Sequence, residues 1–177
     1  AQVGETEAIV VPLLFTQGYH QRVDVPRALA AASQASHLSL YLAAGLGTGE
    51  DLAHVLASRT RPGDAHVVIY SVGSSDSAAN DAIRELAHRT FALTGVPATV
   101  EFATRGGREG IVRLCREHAD PKRVRVIPLF VTEGLLLDRL AGVPATVEHP
   151  LGTDISGLVA DRFHHARRGA QEVFAPC

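Results

Sequence analysis

Three continuous apolar runs punctuate the chain: AIVVPLLF at 8–15, HVVIYSV at 66–72 and VRVIPLFV at 124–131. A strand that is apolar at successive positions has both faces covered, the condition of a parallel sheet with helices on either side. Elsewhere the apolar positions recur at helical spacing. Ala79, Ala82, Ile83, Leu86 and Leu93 form one stripe, Ile111, Val112, Leu114 and Cys115 a second, and Ile155, Leu158, Val159 and Phe163 a third, each the buried face of one helix. Boundary residues agree with this reading. Ser75 and Asp76 are N-cap candidates for a helix over 76–94, Thr48 with Asp51 has a capping-box pattern, Thr153 precedes the last helix, and Asp24 stands as cap to the helix containing Pro26. The string GVPATVE occurs at 95–101 and again at 142–148, each time ending a helix at glycine and opening a strand after proline.

The chain also repeats itself over a longer range. VPLLFTQG at 11–18 aligns without gaps on IPLFVTEG at 127–134, an offset of 116, and Leu46-Gly47-Thr48 matches Leu151-Gly152-Thr153 at an offset of 105. The smaller second offset predicts a shorter helix after Gly134 than after Gly18. The second copy reads as four strand-helix units from near Asp64, whereas the first supplies only the last two, so roughly 50 residues of the first copy are expected before Ala1. The predicted class is α/β: two related lobes, each a parallel sheet flanked by helices in a Rossmann-like three-layer arrangement, the first lobe incomplete. Residues 1–62 are its C-terminal part, and 63–177 the complete second lobe. Ligands of such sheets bind outside the carboxyl ends of the strands, where Gly18, Gly73 and Gly134 fall.

Composition narrows the partners. With 177 residues, 46% of them hydrophobic, the chain sustains one substantial domain or two small lobes. Its 17 basic and 19 acidic residues leave a formal charge of −2, which removes the electrostatic case for nucleic acid or an anionic membrane. No apolar run nears the roughly 18 residues that cross a bilayer. Two cysteines, Cys115 and Cys177, cannot build a disulfide framework, and the N-terminus has no secretory pattern, so the expected compartment is the reducing cytoplasm.

Several tempting features reduce to ordinary ones. AAGLGTGE at 43–50 lacks both the P-loop lysine and the dinucleotide fingerprint, and a turn with a helix cap accounts for it. Neither Ser74 nor Ser75 lies in a G-x-S-x-G elbow. His149, His164 and His165 have no metal-ligand spacing and are expected in solvent. Cys115 shares the apolar face of Ile111 and is expected as a buried, inert thiol. His20 is different, because it follows a glycine that permits close backbone approach at a sheet's carboxyl edge. Under the offset of 116 it aligns with Leu136, so similar loops hold imidazole in one copy and isobutyl in the other. Two readings of it are open at this point, an exposed loop histidine or a ligand or base.

VVPLLFTQGYHQRVDVPRAL, VIYSVGSSDSAANDAIRELA and RVIPLFVTEGLLLDRL together resemble the CbiX/SirB-type chelatases, which insert a divalent metal into sirohydrochlorin for sirohaem or cobalamin. The resemblance runs from the strand at 8–15 to the helix ending near Arg168, carried by PLL-x-x-x-G-Y-H-x-x-x-D-x-P combined with G-S-S-D. In that family one histidine stands in an H-G-S motif after the first strand and another in the G-x-H loop, which corresponds to His20. The second copy here has Val72-Gly73-Ser74 at the H-G-S place. The resemblance implies a chelatase-like fold and a lyase whose metal substrate is Co²⁺ or Fe²⁺, with no further cofactor. Sirohydrochlorin is then the partner, and a homodimer through an open sheet edge a further expectation.

On the same resemblance His20 becomes metal relay and proton acceptor, since neutral imidazole ligates borderline ions and takes a proton near neutrality. Tyr19, Arg22, Gly73, Ser74, Ser75, Arg105 and Arg108 become substrate-binding candidates. The guanidinium groups suit the carboxylates of the macrocycle. The 73–75 segment offers donors at a helix N-terminus, although capping explains those residues equally well. The alternative is a two-lobe protein that binds a tetrapyrrole or a metal without chemistry.

Overall fold

Parallel pairing dominates the structure, a computed structural model that describes residues 7–16, 24–36 and 38–173. Strand β1 (Glu7–Val10) pairs with β2 (Ser39–Leu42) in one two-stranded parallel sheet. Strands β3 (His66–Ser71), β4 (Ala98–Phe102), β5 (Val124–Pro128) and β6 (Thr146–Val147) form a second, in the order β4-β3-β5-β6, again all parallel. The helices are α1 (Val25–Ser36), α2 (Glu50–Ser58), α3 (Ser77–Thr94), α4 (Gly107–Glu117), α5 (Leu135–Asp138) and α6 (Ser156–Val173). The α/β class with two helix-flanked parallel sheets is thus as the apolar pattern predicts. No helix among the described residues is long and apolar enough to cross a membrane.

Packing groups the chain into two units. One holds residues up to Gly47 and those from Ser156 onward; the other runs from Thr48 to Ile155. The division at 62/63 is an expectation drawn from the sequence repeat; in packing, α2 lies on α3, and α6 lies on β1 and β2. In the 48–155 unit the central strands are sealed, with Val67, Val68, Ile69 and Tyr70 of β3 and Val124, Val126 and Ile127 of β5 all inaccessible to solvent. On one face Val68, Tyr70, Val124 and Val126 pack with Ile111 and Cys115 of α4 and with Leu137 of α5. Burial of side chains of this size, at about 25 cal/mol per Å², is what orders the sheet.

The repeat is visible in hydrogen bonds. Shifting the first strand by 116 and the second by 105 carries the pairs Ile9↔Tyr41 and Val10↔Leu42 onto Arg125↔Thr146 and Val126↔Val147. The next ladder bond is also shared: Ala43 N to Val10 O and Glu148 N to Val126 O, both 2.9 Å. After each second strand an arginine clamps the departing chain. Arg162 donates from Nε to Gly45 O (3.1 Å) and from Nη2 to Leu46 O (2.7 Å). Arg59 donates to the matching carbonyls of Pro150 (3.0 Å) and Leu151 (3.2 Å), and also to His149 O (2.5 Å) and Asp154 (2.8 Å).

Local expectations fare unevenly. Asp76 caps α3 by accepting from Ala78 N at 3.0 Å, and Gly95 (φ 70°) closes that helix before Pro97 and β4. α5 has 4 residues against 12 in α1, as the falling offset requires. The run at 8–15, however, forms ladder only to Val10, because Pro12 has no N–H to donate. The capping box at Thr48 does not form. Gly49 is the N-cap of α2, and Asp51 accepts from the adjacent Leu52 N at 2.8 Å, since the helix starts too late for a Thr48 side chain to reach its donors. Thr153 precedes α6 as expected, inside a 3₁₀ turn (Gly152–Ile155) that leads into the helix.

A charged cluster joins the ends of the second sheet. Arg125 on β5 grips Asp64 through two bonds, Nε to Oδ2 at 2.6 Å and Nη2 to Oδ1 at 3.0 Å, and also binds Glu148 beyond β6. Its pKa is raised, first by the hydrogen bond to Asp64. Removing one partner of a buried pair strands the others, so Arg125→Ala is expected to cost about 3–5 kcal/mol. Urea unfolding measured at constant slope checks this; a loss below about 1 kcal/mol contradicts it.

Candidate functional site

The carboxyl edge of the four-stranded sheet is built by the loops after β3 and β4. Gly73 takes φ 88°, and a Cβ there would lie 2.8 Å from Thr104 Oγ1 and 3.0 Å from Phe102 Cβ, so both conformation and space demand glycine. Thr104 ties the loops together, donating to Val72 O from its backbone N (3.1 Å) and from Oγ1 (2.8 Å). The next residue is held from the other side. Ser74 N donates to Asn80 Oδ1 at 2.9 Å while Asn80 Nδ2 donates back to Ser74 O at 2.8 Å. Arg105 Nη2 reaches the same Ser74 carbonyl at 2.7 Å. Ser74 Oγ accepts from Asp76 N at 3.1 Å, and Ser75 is exposed.

Gly73, Ser74, Ser75 and Arg105 therefore come together as one stitched surface. Arg108 does not join it. It stands in the first turn of α4 and lines a cleft of about 470 Å³ with Tyr70, Thr104, Glu109, Asp138 and Arg139. There Arg108 Nη2 donates to Ala141 O at 3.4 Å and Arg139 Nη1 to Ala103 O at 3.1 Å. Tyr70 forms the buried wall, its hydroxyl donating to Leu136 O at 3.2 Å. Burial pushes the Tyr70 pKa up, Arg139 opposes this and Glu109 adds to it. Leu136, the counterpart of His20, packs against the core beneath, whereas its neighbour Leu135 is 85% exposed.

Tyr19, His20 and Arg22 lie outside the described residues. Among the described residues no group of three or more His, Cys, Asp or Glu side chains is placed to hold a metal ion. The perturbed histidine sits at the opposite edge: His66, at the start of β3, contacts His118 edge to face at 5.6 Å and shares a 3.0 Å hydrogen bond with Thr99. Burial lowers its pKa, His118 adds to this and Glu117 opposes it. Cys115 is a free, buried thiol with its pKa raised by burial, as expected, and His149, His164 and His165 are exposed.

The sequence profile of the CbiX family matches residues 1–62, the stretch that holds Tyr19, His20 and Arg22. No curated protein matches the sequence significantly. Solved structures match most of the chain in fold. SirB from Bacillus subtilis with Fe³⁺ superposes with a TM-score of 0.75 at 17% identity, covering 97% of this chain and 75% of that one. The sirohydrochlorin chelatase SirB from Bacillus subtilis subspecies spizizenii in complex with cobalt gives 0.73 at 17% identity, covering 97% and 74%. CbiX, described as the terminal enzyme for biosynthesis of sirohaem in denitrifying bacteria, gives 0.69 at 22% identity, covering 92% and 77%. The chain has the chelatase fold.

In this chelatase fold four of the sequence candidates, Gly73, Ser74, Ser75 and Arg105, lie at one edge, and Asn80 and Thr104, which hold the loops there, were not among the candidates. Asn80 was findable: it interrupts the apolar face of α3 between Ala79 and Ile83, and a polar residue at a buried helical position needs a partner. Thr104 carried no such signal, because its role depends on how β3 and β4 align. The fit at Gly73 gives a direct check. Gly73→Ala is expected to lower stability by about 1–3 kcal/mol through strain at positive φ and collision with Thr104; an unaltered unfolding midpoint would show that the loop has slack.

Proposed function

We propose that this protein inserts Co²⁺ or Fe²⁺ into sirohydrochlorin in the cytoplasm, with His20 as metal relay and proton acceptor. One observation carries the reading: the segment with Tyr19-His20 falls within the CbiX-matched residues of a chain that has the chelatase fold. Insertion requires an aquo ion to shed water, the macrocycle to ruffle and two pyrrole protons to leave. No covalent intermediate is needed. Imidazole is suited to the first and last of these steps, since it exchanges with water on borderline ions and accepts a proton near neutral pH.

Sirohydrochlorin is a polycarboxylate, and the carboxyl edge supplies complementary donors. Arg105 is exposed and uses one N–H on Ser74 O, leaving others for a carboxylate. Tyr19, Arg22, Gly73, Ser74, Ser75 and, from its separate cleft, Arg108 complete the proposed contacts. Pairing of two copies belongs to the same reading, because the two-stranded sheet takes no further strand among the described residues.

The test is the absorbance change of sirohydrochlorin on addition of Co²⁺, with and without protein. Acceleration by the full chain is expected, with His20→Ala slowing it by about 100-fold, the lower range for a positioned proton acceptor. Arg105→Gln is expected to raise KM about tenfold, as loss of one charge-assisted bond implies. A bound spectrum with no rate increase would favour a non-catalytic binder instead.

A further inference from the structure

Arg105 is exposed on a short 3₁₀ turn (Ala103–Arg105), with nothing of its own element to orient a long, flexible side chain. Its direction is set by the Ser74 carbonyl at 2.7 Å. That carbonyl is not free to swing. Asn80 Nδ2 donates to it at 2.8 Å, and the same amide group accepts from Ser74 N at 2.9 Å, so one side chain fixes both polar groups of residue 74. Asn80 is 2% exposed, in the first turns of an 18-residue helix that packs against β4. A buried amide with both ends satisfied has little rotational freedom, and the chain it grips inherits that rigidity.

We infer that Asn80 is a positioning residue for substrate binding: it fixes the Ser74 carbonyl, and through it aims the Arg105 guanidinium at the substrate's carboxylates. The inference rests on the chelatase reading and assigns Asn80 no contact with the macrocycle. It also explains why a polar residue occupies the apolar face of α3. The chain of contact is short, from the core at Asn80, to the turn at Ser74, to the cation at the sheet's edge. Thr104, bonded twice to Val72 O, keeps the two loops at the spacing this requires.

The full-length chain tests this with two variants. Asn80→Asp retains an acceptor for Ser74 N but loses the donor to Ser74 O, and Asn80→Ala loses both. Asn80→Asp is expected to raise KM for sirohydrochlorin by about three- to tenfold, with kcat moving less. Because both substitutions act on one guanidinium, Asn80→Asp combined with Arg105→Gln is expected to raise KM no further than Arg105→Gln alone. Multiplicative effects, or a KM unaffected by Asn80→Asp, would overturn the inference. Hydrogen exchange separates this from the substrate assignment: Asn80→Ala is expected to speed exchange at the Ser74 amide at least tenfold. An unchanged rate there removes the positioning role whatever the ligand. A protected Ser74 amide in the parent chain, together with no response of sirohydrochlorin binding to Arg105→Gln, would remove the substrate role of Arg105 and the inference with it, whereas no rate increase by the parent chain would sink the chelatase reading itself.

Discussion

A parallel ladder sends the carboxyl end of every strand to the same side, and the remainder of this molecule follows from that constraint. Because β3, β4, β5 and β6 all run one way, the loops after residues 71, 102, 128 and 147 gather at a single edge, although they lie far apart in sequence. Carbonyl groups left at that edge have lost their ladder partners. They are met instead by side chains: Thr104 on Val72 O, Asn80 and Arg105 on Ser74 O, Arg59 on the carbonyls of 149–151. Satisfying those acceptors is what turns a sheet edge into a surface with fixed geometry.

Duplication shows which of these features the fold itself requires. The register of β1 with β2 recurs in β5 with β6, and so does the arginine that clamps the chain after β2 and after β6. The groups with chemical potential do not recur. Leu136 stands opposite His20 in the repeat, and Arg125, with its carboxylate partners Asp64 and Glu148, replaces the apolar Ile9 of the first copy. Backbone satisfaction is thus common property, while ion pairing and imidazole have been distributed between the copies. A duplicated scaffold can specialise in this way because side-chain changes at loops leave the shared ladder intact.

Much of this was legible in the residues. The apolar runs at 66–72 and 124–131 predicted buried parallel strands, whereas β1 in the run at 8–15 is only half-buried. GVPATVE marked a helix-to-strand transition that forms at Gly95 (φ 70°), while its second occurrence follows a turn, because α5 already ends at Asp138. The repeat offsets anticipated both the shared register and the short α5. What composition could not reveal were features decided by three-dimensional alignment. Pro12 ends a ladder that its apolar neighbours would extend, and α2 begins at Glu50 rather than where Thr48 could cap it. The role of Thr104 likewise exists only once β3 and β4 are docked.

Titration of the isotope-labelled chain with metal-free sirohydrochlorin, followed residue by residue through backbone amide resonances, addresses the placement of the ligand most directly. If the carboxyl edge receives the macrocycle, shifts in the 48–155 unit will concentrate at residues 72–76 and 103–106. Shifts centred on the opposite edge, around His66, Ala98 and Val124, would contradict the account.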